Sequence, residues 1–207
     1  MPKKFRFHGP NQDFECNLAS ERCVATTKTG NQCSRKCVIG VNYCYTHLLH
    51  EKHLKIKNTN HGKGLFAIDT KKARNAVIFK GTKKRRNRFG VTATTSGDKI
   101  IEYKGEEINQ NILDSRYGMY TAPYAIQNEQ KRGVFEDGAC RRGIGSIANH
   151  PDRGQKANAT FHKGNNIVMR AKTNIKNGDE ILVNYNAGNR QQNQYIMHEP
   201  GVTHSTR

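Results

Sequence analysis

The chain has 207 residues, with 35 Lys plus Arg against 17 Asp plus Glu, a net charge of +18 and no Trp. That length suits one domain of ordinary size with a small appendage, and 19 Gly against 5 Pro at 34% hydrophobic content favours short strands and loops over a helical bundle. No apolar run approaches the roughly 18 residues a membrane span needs, and MPKKFRFHGPNQDF carries charges without the apolar core of a signal peptide, so no membrane partner and no secretion are expected.

A reducing compartment is therefore expected, in which cysteines serve as metal ligands or free thiols rather than disulfides. Cys16, Cys23, Cys33, Cys37 and Cys44 crowd one stretch and only Cys140 lies later, which predicts a separate unit over residues 15–50. Cys23, Cys33, Cys44 and His47 read C-x9-C-x10-C-x2-H. Zinc takes four soft ligands in a tetrahedron, and the Cys44–His47 pair is the tight spacing that nucleates such a site. Cys33 and Cys37 are a second tight pair, so Cys33, Cys37, Cys44 and His47 form a competing set; scattered reduced cysteines are the plain alternative. A unit of about 25 residues builds no core of its own, so a structural metal is a physical need. The segment RCVATTKTGNQCSRKCVIGVNYCYTHL resembles a Cys3His motif of many large-DNA-virus proteins, and that resemblance favours Cys23 over Cys37. His50 to Asn60 is polar and reads as a helical start followed by a linker.

From His61 the texture changes to short β-like runs punctuated by Gly, Asn and Asp: GLFAI, NAVIFKG, KIIEYKGEEI, PYAIQ, GVFEDG, NATFHKG, NIVMRAKT and DEILVNY. Only NILDSRYGMY hints at a helix. Residues 61–187 therefore read as a mostly β domain, and residues 188–207 as a mobile tail. Lys83, Lys84, Arg85, Arg86 and Arg88 lie in what reads as an exposed loop between strands. Such a run is a solvated face, an import signal, or a phosphate contact that reaches nucleic acid or a nucleosome.

Four motifs follow in order: GKGLFA from Gly62, EYKGEE from Glu102, IANH ending at His150, and GDEILVNY ending at Tyr185. Together they resemble the SET domain of protein lysine methyltransferases over residues 61 to about 187. The resemblance implies a β-rich α+β fold of small curved sheets with a pseudoknot, S-adenosylmethionine as methyl donor, and a protein substrate presenting a lysine. It implies Tyr185 and Tyr103 as catalytic residues, with Phe161 and Tyr120 lining the lysine channel. It implies Lys63, Gly64, Leu65, Tyr124, Asn149 and His150 as the cofactor site. It points to a histone or another chromatin or nucleic-acid-associated protein as substrate, to the nucleus or chromatin of a host cell or otherwise its cytoplasm, and to a viral source. The chain departs from the family where His150 is followed by PDRGQKA, where Asn184 replaces an Asp, and where the Lys83–Gly97 stretch is inserted.

Methyl transfer needs a lysine lone pair, and neutralising a free amine of pKa near 10.4 at pH 7 costs about 4 to 5 kcal/mol. A narrow apolar channel beside a cation lowers that pKa by desolvation and like charge, so aromatic walls and oriented oxygens suffice without a strong base. The rival reading is a non-catalytic, basic, zinc-containing module that binds nucleic acid or nucleosomes on a decayed scaffold. Tyr103 and Tyr185 would then be ordinary strand aromatics.

Overall fold

The computed structural model describes residues 3–8, 13–18, 21–37, 42–86, 88, 92–118, 122, 124–128, 130–140, 143–164 and 166–185. Tyr120 and the tail 188–207 lie outside the described residues.

The first residues, to which the sequence assigns no element, pair as an antiparallel hairpin of β1 (Lys3–His8) and β2 (Asp13–Leu18). Helix α1 (Tyr45–Lys52) follows the cysteine-rich segment and stops where His53 takes φ 53°. The stretch read as a linker is instead β3 (Leu54–Thr59), paired with β4 (Gly62–Ala67) in register Thr59↔Gly62. Its Leu54 and Ile56 alternate with Lys55 and Lys57, the period of a half-buried strand. Gly62, at φ 90°, lets the tight turn close.

Beyond it come β5 (Val77–Phe79), β6 (Lys83–Arg86), β7 (Thr92–Thr95), β8 (Lys99–Glu102) and β9 (Glu106–Asn109). The basic run is not the expected loop: β6 pairs with β7, whose three threonines favour an extended backbone. Helix α2 (Gln110–Tyr117) begins where the Asn109 side chain accepts the Ile112 N–H at 3.0 Å, an N-cap. Then come β10 (Ala125–Gln127), β11 (Val134–Asp137), a 3-10 turn over Ile144–Ile147, β12 (Ala159–Lys163), β13 (Ile167–Ala171) and β14 (Ile175–Lys176). The sheets are small, with strand orders β10-β11-β9, β12-β13-β8 and β14-β5 besides the hairpins. Among the described residues no helix is long and apolar enough to cross a membrane.

The DEILVNY run forms no continuous strand. Leu182 bridges Asn149, Val183 bridges Ala159, and the Ile181 N–H donates to the Leu65 carbonyl at 2.7 Å. Residues 181–183 thus bond chain segments far apart in sequence, around Leu65, Asn149 and Asn158–Ala159. Ile181 and Val183 are fully buried with Leu48, Leu54, Leu65, Met169 and Ile175 in the main core. Each such side chain contributes about 1.5–3 kcal/mol.

Candidate active site and metal centre

Backbone pairing gathers the metal-type ligands. Bridges Arg22↔Lys36 and Thr26↔Gln32 fold residues 21–37 on themselves and bring Cys23 beside Cys33. Cys44 caps α1 and His47 stands one turn later, so both face the same way. The ligand atoms of Cys23, Cys33, Cys44 and His47 all lie within 4.8 Å of one another. His47 Nδ1 is 3.3 Å from Cys44 Sγ and 3.5 Å from Cys23 Sγ, while Nε2 is 3.5 Å from Glu51, a carboxylate that orients the ring. Backbone N–H groups of Cys44 and Arg35 point at the sulfurs of Cys23 and Cys33. Burial works against a thiolate at Cys44, yet hydrogen bonds from His47 and its neighbours hold it down at about 7. Burial first, then the charge of Cys23, pushes Cys37 up to about 11. The group whose ligand atoms the fold brings together holds Cys23 and not Cys37, so the competing set is not the one assembled. Three sulfurs and one imidazole in a closed, buried group fit zinc with no open position.

These four cysteines carry no disulfide, whereas Cys140 is disulfide-bonded, against the expectation of reduced thiols throughout. Spacing along a chain does not reveal such a tertiary pairing. The metal unit is also not self-contained. Tyr43 packs on both the cysteine cluster and the main core, and Leu48 of α1 is a member of that core. Chelating the metal from zinc-loaded protein is therefore expected to lower the melting temperature of the whole chain by on the order of 10 °C. An unchanged calorimetric trace after measured zinc loss would contradict a structural metal.

The residues to which the resemblance assigns roles fall into two groups on either side of the turn Ile144–Ile147. In the first, Tyr103 is 5% exposed and meets Phe161 edge-to-face at a centroid distance of 5.3 Å. The Tyr103 hydroxyl donates to the Tyr124 carbonyl, which also accepts the Gly138 N–H at 2.8 Å. A Cβ on Gly138 would stand 2.8 Å from that hydroxyl, so glycine makes the approach feasible. The Tyr124 ring packs with Leu113, Tyr117 and Ala139, a cluster apart from the main core that holds Leu65.

In the second group the Tyr185 hydroxyl donates to the Ala148 carbonyl at 2.7 Å, and its ring lies 5.4 Å from that of His150. The Tyr185 N–H donates to His150 Nδ1 at 3.2 Å, which requires the neutral imidazole with its proton on Nε2. Burial lowers the His150 pKa, partly countered by Asp152, in keeping with that form. The hairpin β3–β4 adjoins: a Cβ on Gly64 would meet Glu180 Oε1 at 2.4 Å and Asn149 Nδ2 at 3.0 Å. Asn149 in turn donates to Glu180 at 2.9 Å. Lys63 reaches Asn58 at the exposed end of this hairpin. Lys63, Gly64, Leu65, Asn149, His150 and Tyr185 thus share one neighbourhood, and Tyr103 with Phe161 stands on the other side of the turn.

A polar network missed by the sequence reading supports the first group. Asp137 is fully buried and accepts from Arg116 at 2.7 Å, from Tyr117 at 2.9 and 3.0 Å and from the Ala139 N–H at 2.9 Å. Arg116 also pairs with Glu106 at 2.9 Å. Burial, reinforced by the Asp137 charge, raises the Tyr117 pKa, so its hydroxyl stays a donor. The one sequence signal was the helical pattern that places Arg116 and Tyr117 together.

A family model described as SET domain matches residues 13–186. No curated protein matches the chain. Among solved structures, the Chaetomium thermophilum polycomb repressive complex 2 is similar at 19% identity and TM-score 0.45, over 70% of this chain and 17% of that one. A second, titled ctPRC2 in an autoinhibited conformation bound to S-adenosylmethionine, is similar at 20% identity and TM-score 0.42, over 65% of this chain and 15% of that one. The chain thus spans under a fifth of the length of either.

Proposed function

Because the chain belongs to the SET-domain family, we propose that it is an S-adenosylmethionine-dependent protein lysine N-methyltransferase acting on a histone or another chromatin or nucleic-acid-associated protein. The observation that carries this reading is the meeting of Tyr185, Ala148, Asn149 and His150 with the β3–β4 hairpin around residues 181–183, one short turn from buried Tyr103 and its partner Phe161.

The residues suit a sulfonium cation. The Tyr185 and Tyr103 hydroxyls donate to the carbonyls of Ala148 and Tyr124, and the rings of Phe161 and His150 stand beside them. When bound, S-adenosylmethionine supplies an electrophilic methyl group. Backbone groups of Lys63, Gly64 and Leu65, together with Asn149 and His150, would hold it. Tyr185, its proton committed to Ala148, turns an oxygen lone pair towards the reacting centre. Tyr103 and Phe161 wall the channel in which the lysine amine loses its hydration and, with it, its preference for the charged form. The hydroxyl of Tyr103 is engaged with Tyr124, so it offers the amine a lone pair rather than a proton. Alignment in a dry site supplies much of the rate. Four zinc ligands at Cys23, Cys33, Cys44 and His47 hold the N-terminal unit against this domain, and the site of action is the nucleus or chromatin.

Calorimetric titration of the folded, zinc-loaded protein with S-adenosylmethionine is expected to show micromolar binding, followed by methyl transfer to histones or nucleosomes. A folded protein that binds no S-adenosylmethionine would leave the basic, non-catalytic module as the function.

A further inference from the structure

The two stretches where the chain departs most from its family meet on one surface. The first is the ribbon β6–β7. All eight of its paired residues are exposed, so it contributes no side chain to the core. Lys83 and Arg85 stand on one face, Lys84 and Arg86 on the other. The second is the Pro151–Ala157 stretch after His150, which contributes Arg153 and Lys156 to an open hollow of about 640 Å³.

Backbone contacts join them. The Thr82 N–H at the foot of the ribbon donates to the Lys172 carbonyl at 3.2 Å. Gly81 packs so closely on Thr173 that a Cβ would stand 2.4 Å from its carbonyl carbon, and a Cβ on the opposite foot, Gly97, would meet the Ala171 carbonyl oxygen at 1.8 Å. Lys172 and Thr173, on which the ribbon stands, also line the hollow. Cations more than sixty residues apart in sequence therefore form one positive strip, from Lys83–Arg86 through Lys172 to Lys156 and Arg153, ending beside His150. Two acids border it: Asp152, tied to His61 at 2.7 Å, and Asp98, which accepts the Lys80 N–H at 2.8 Å.

We propose that this strip binds the phosphate backbone of duplex nucleic acid. A two-stranded ribbon is narrow enough to enter a major groove. Its paired strands carry only Lys, Arg, Thr and Ala. Within those strands there is neither an aromatic platform on which single strands stack nor a large apolar side chain that inserts into a membrane surface, and competition by single strands and vesicles tests both against Phe89 and Val91 of the connecting segment. A duplex lying on the strip passes the rim of the proposed methyl-transfer site, so the lysines within reach belong to a protein already bound to that duplex. This last step rests on the methyltransferase reading; the duplex binding does not.

The test is fluorescence anisotropy with a labelled duplex of about 20 base pairs, read across salt concentrations, with a single strand of the same sequence and phosphatidylserine vesicles as competitors. One variant carries Lys83→Gln, Lys84→Gln, Arg85→Gln and Arg86→Gln; another carries Arg153→Gln, Lys156→Gln and Lys172→Gln. Melting curves check that each folds. Each variant is expected to lose about tenfold or more in duplex affinity and about two units of the slope of log affinity against log salt, since each released phosphate contact contributes about 0.9. Loss with the ribbon variant alone overturns the joined strip. Unchanged binding in both variants, or preference for the single strand or the vesicles, overturns duplex recognition. S-adenosylmethionine titration of the wild type stands apart, so failure here is distinguishable from failure of the methyltransferase reading.

Discussion

Tyr185→Phe is expected to bind S-adenosylmethionine as the wild type does and to lose about 100-fold in turnover, roughly 2.7 kcal/mol of barrier. The substitution removes one oxygen and leaves the ring that packs 5.4 Å from His150. The cofactor-holding groups proposed here are mostly backbone atoms of Lys63, Gly64 and Leu65 with Asn149 and His150, none of which the change touches. The lost oxygen is the one whose proton the Ala148 carbonyl holds at 2.7 Å, so it sits at a fixed place beside the reacting atoms and needs no reorganisation. Stability should fall by about 1–3 kcal/mol, because Ala148 is buried in the main core and its carbonyl loses a hydrogen-bond donor there. Single-turnover rates at saturating cofactor, beside a calorimetric dissociation constant, separate the effects. Undiminished turnover would remove Tyr185 from the chemistry. Loss of cofactor binding along with turnover would make it a structural residue.

Asp137→Ala is expected to destabilise the protein by about 3–5 kcal/mol, near 10 °C in melting temperature for a chain of this size. Asp137 is fully buried and anchors Arg116, Tyr117 and the Ala139 N–H at once. Truncation leaves a half-buried guanidinium with Glu106 in place of both carboxylates, and a buried Tyr117 hydroxyl without that partner. Asp137→Asn keeps the size and the acceptor for Tyr117 but not the charge opposite Arg116, and should cost less. Both variants should also weaken methyl transfer, because the loop that Asp137 ties down carries Gly138. That residue's N–H shares the Tyr124 carbonyl with the Tyr103 hydroxyl. Denaturant melts of the two variants check the order. Equal stability of Asp137→Ala and wild type would show that the network is not cooperative.

Much of the fold was legible because local chemistry and tertiary outcome agreed. The runs around GLFAI, NATFHKG and NIVMRAKT have apolar residues at strand spacing and became β4, β12 and β13. The NILDSRY part of NILDSRYGMY lies in α2 behind its Asn109 cap. The metal group was legible in its members, since only a tight Cys44–His47 pair with two further thiols suits zinc. Spacing left Cys23 and Cys37 open, and their distance from the other ligands is set by the bridges between residues 22–26 and 32–36, which no spacing rule contains.

The reading failed where the outcome depended on partners distant in the chain. DEILVNY looks like a strand, yet its hydrogen bonds go to Leu65, to Asn149 and to the neighbouring Asn158 and Ala159, so no single partner strand pairs with it. The basic run looked like a loop because charge hides strand propensity, and only pairing with Thr92–Thr95 made it a ribbon. The sequence by itself determined the composition of the site: two tyrosines, a glycine hairpin, an Asn-His pair, four metal-type ligands and a strong positive charge. These follow from residue type, which the chain carries without folding. Only the tertiary structure decided that the Tyr103 hydroxyl serves Tyr124, that Asp137 is the buried anchor, and that Lys172 joins two basic segments. Burial and hydrogen-bond pairing are properties of the packed chain, where an unpaired polar group is costly enough to choose its partner.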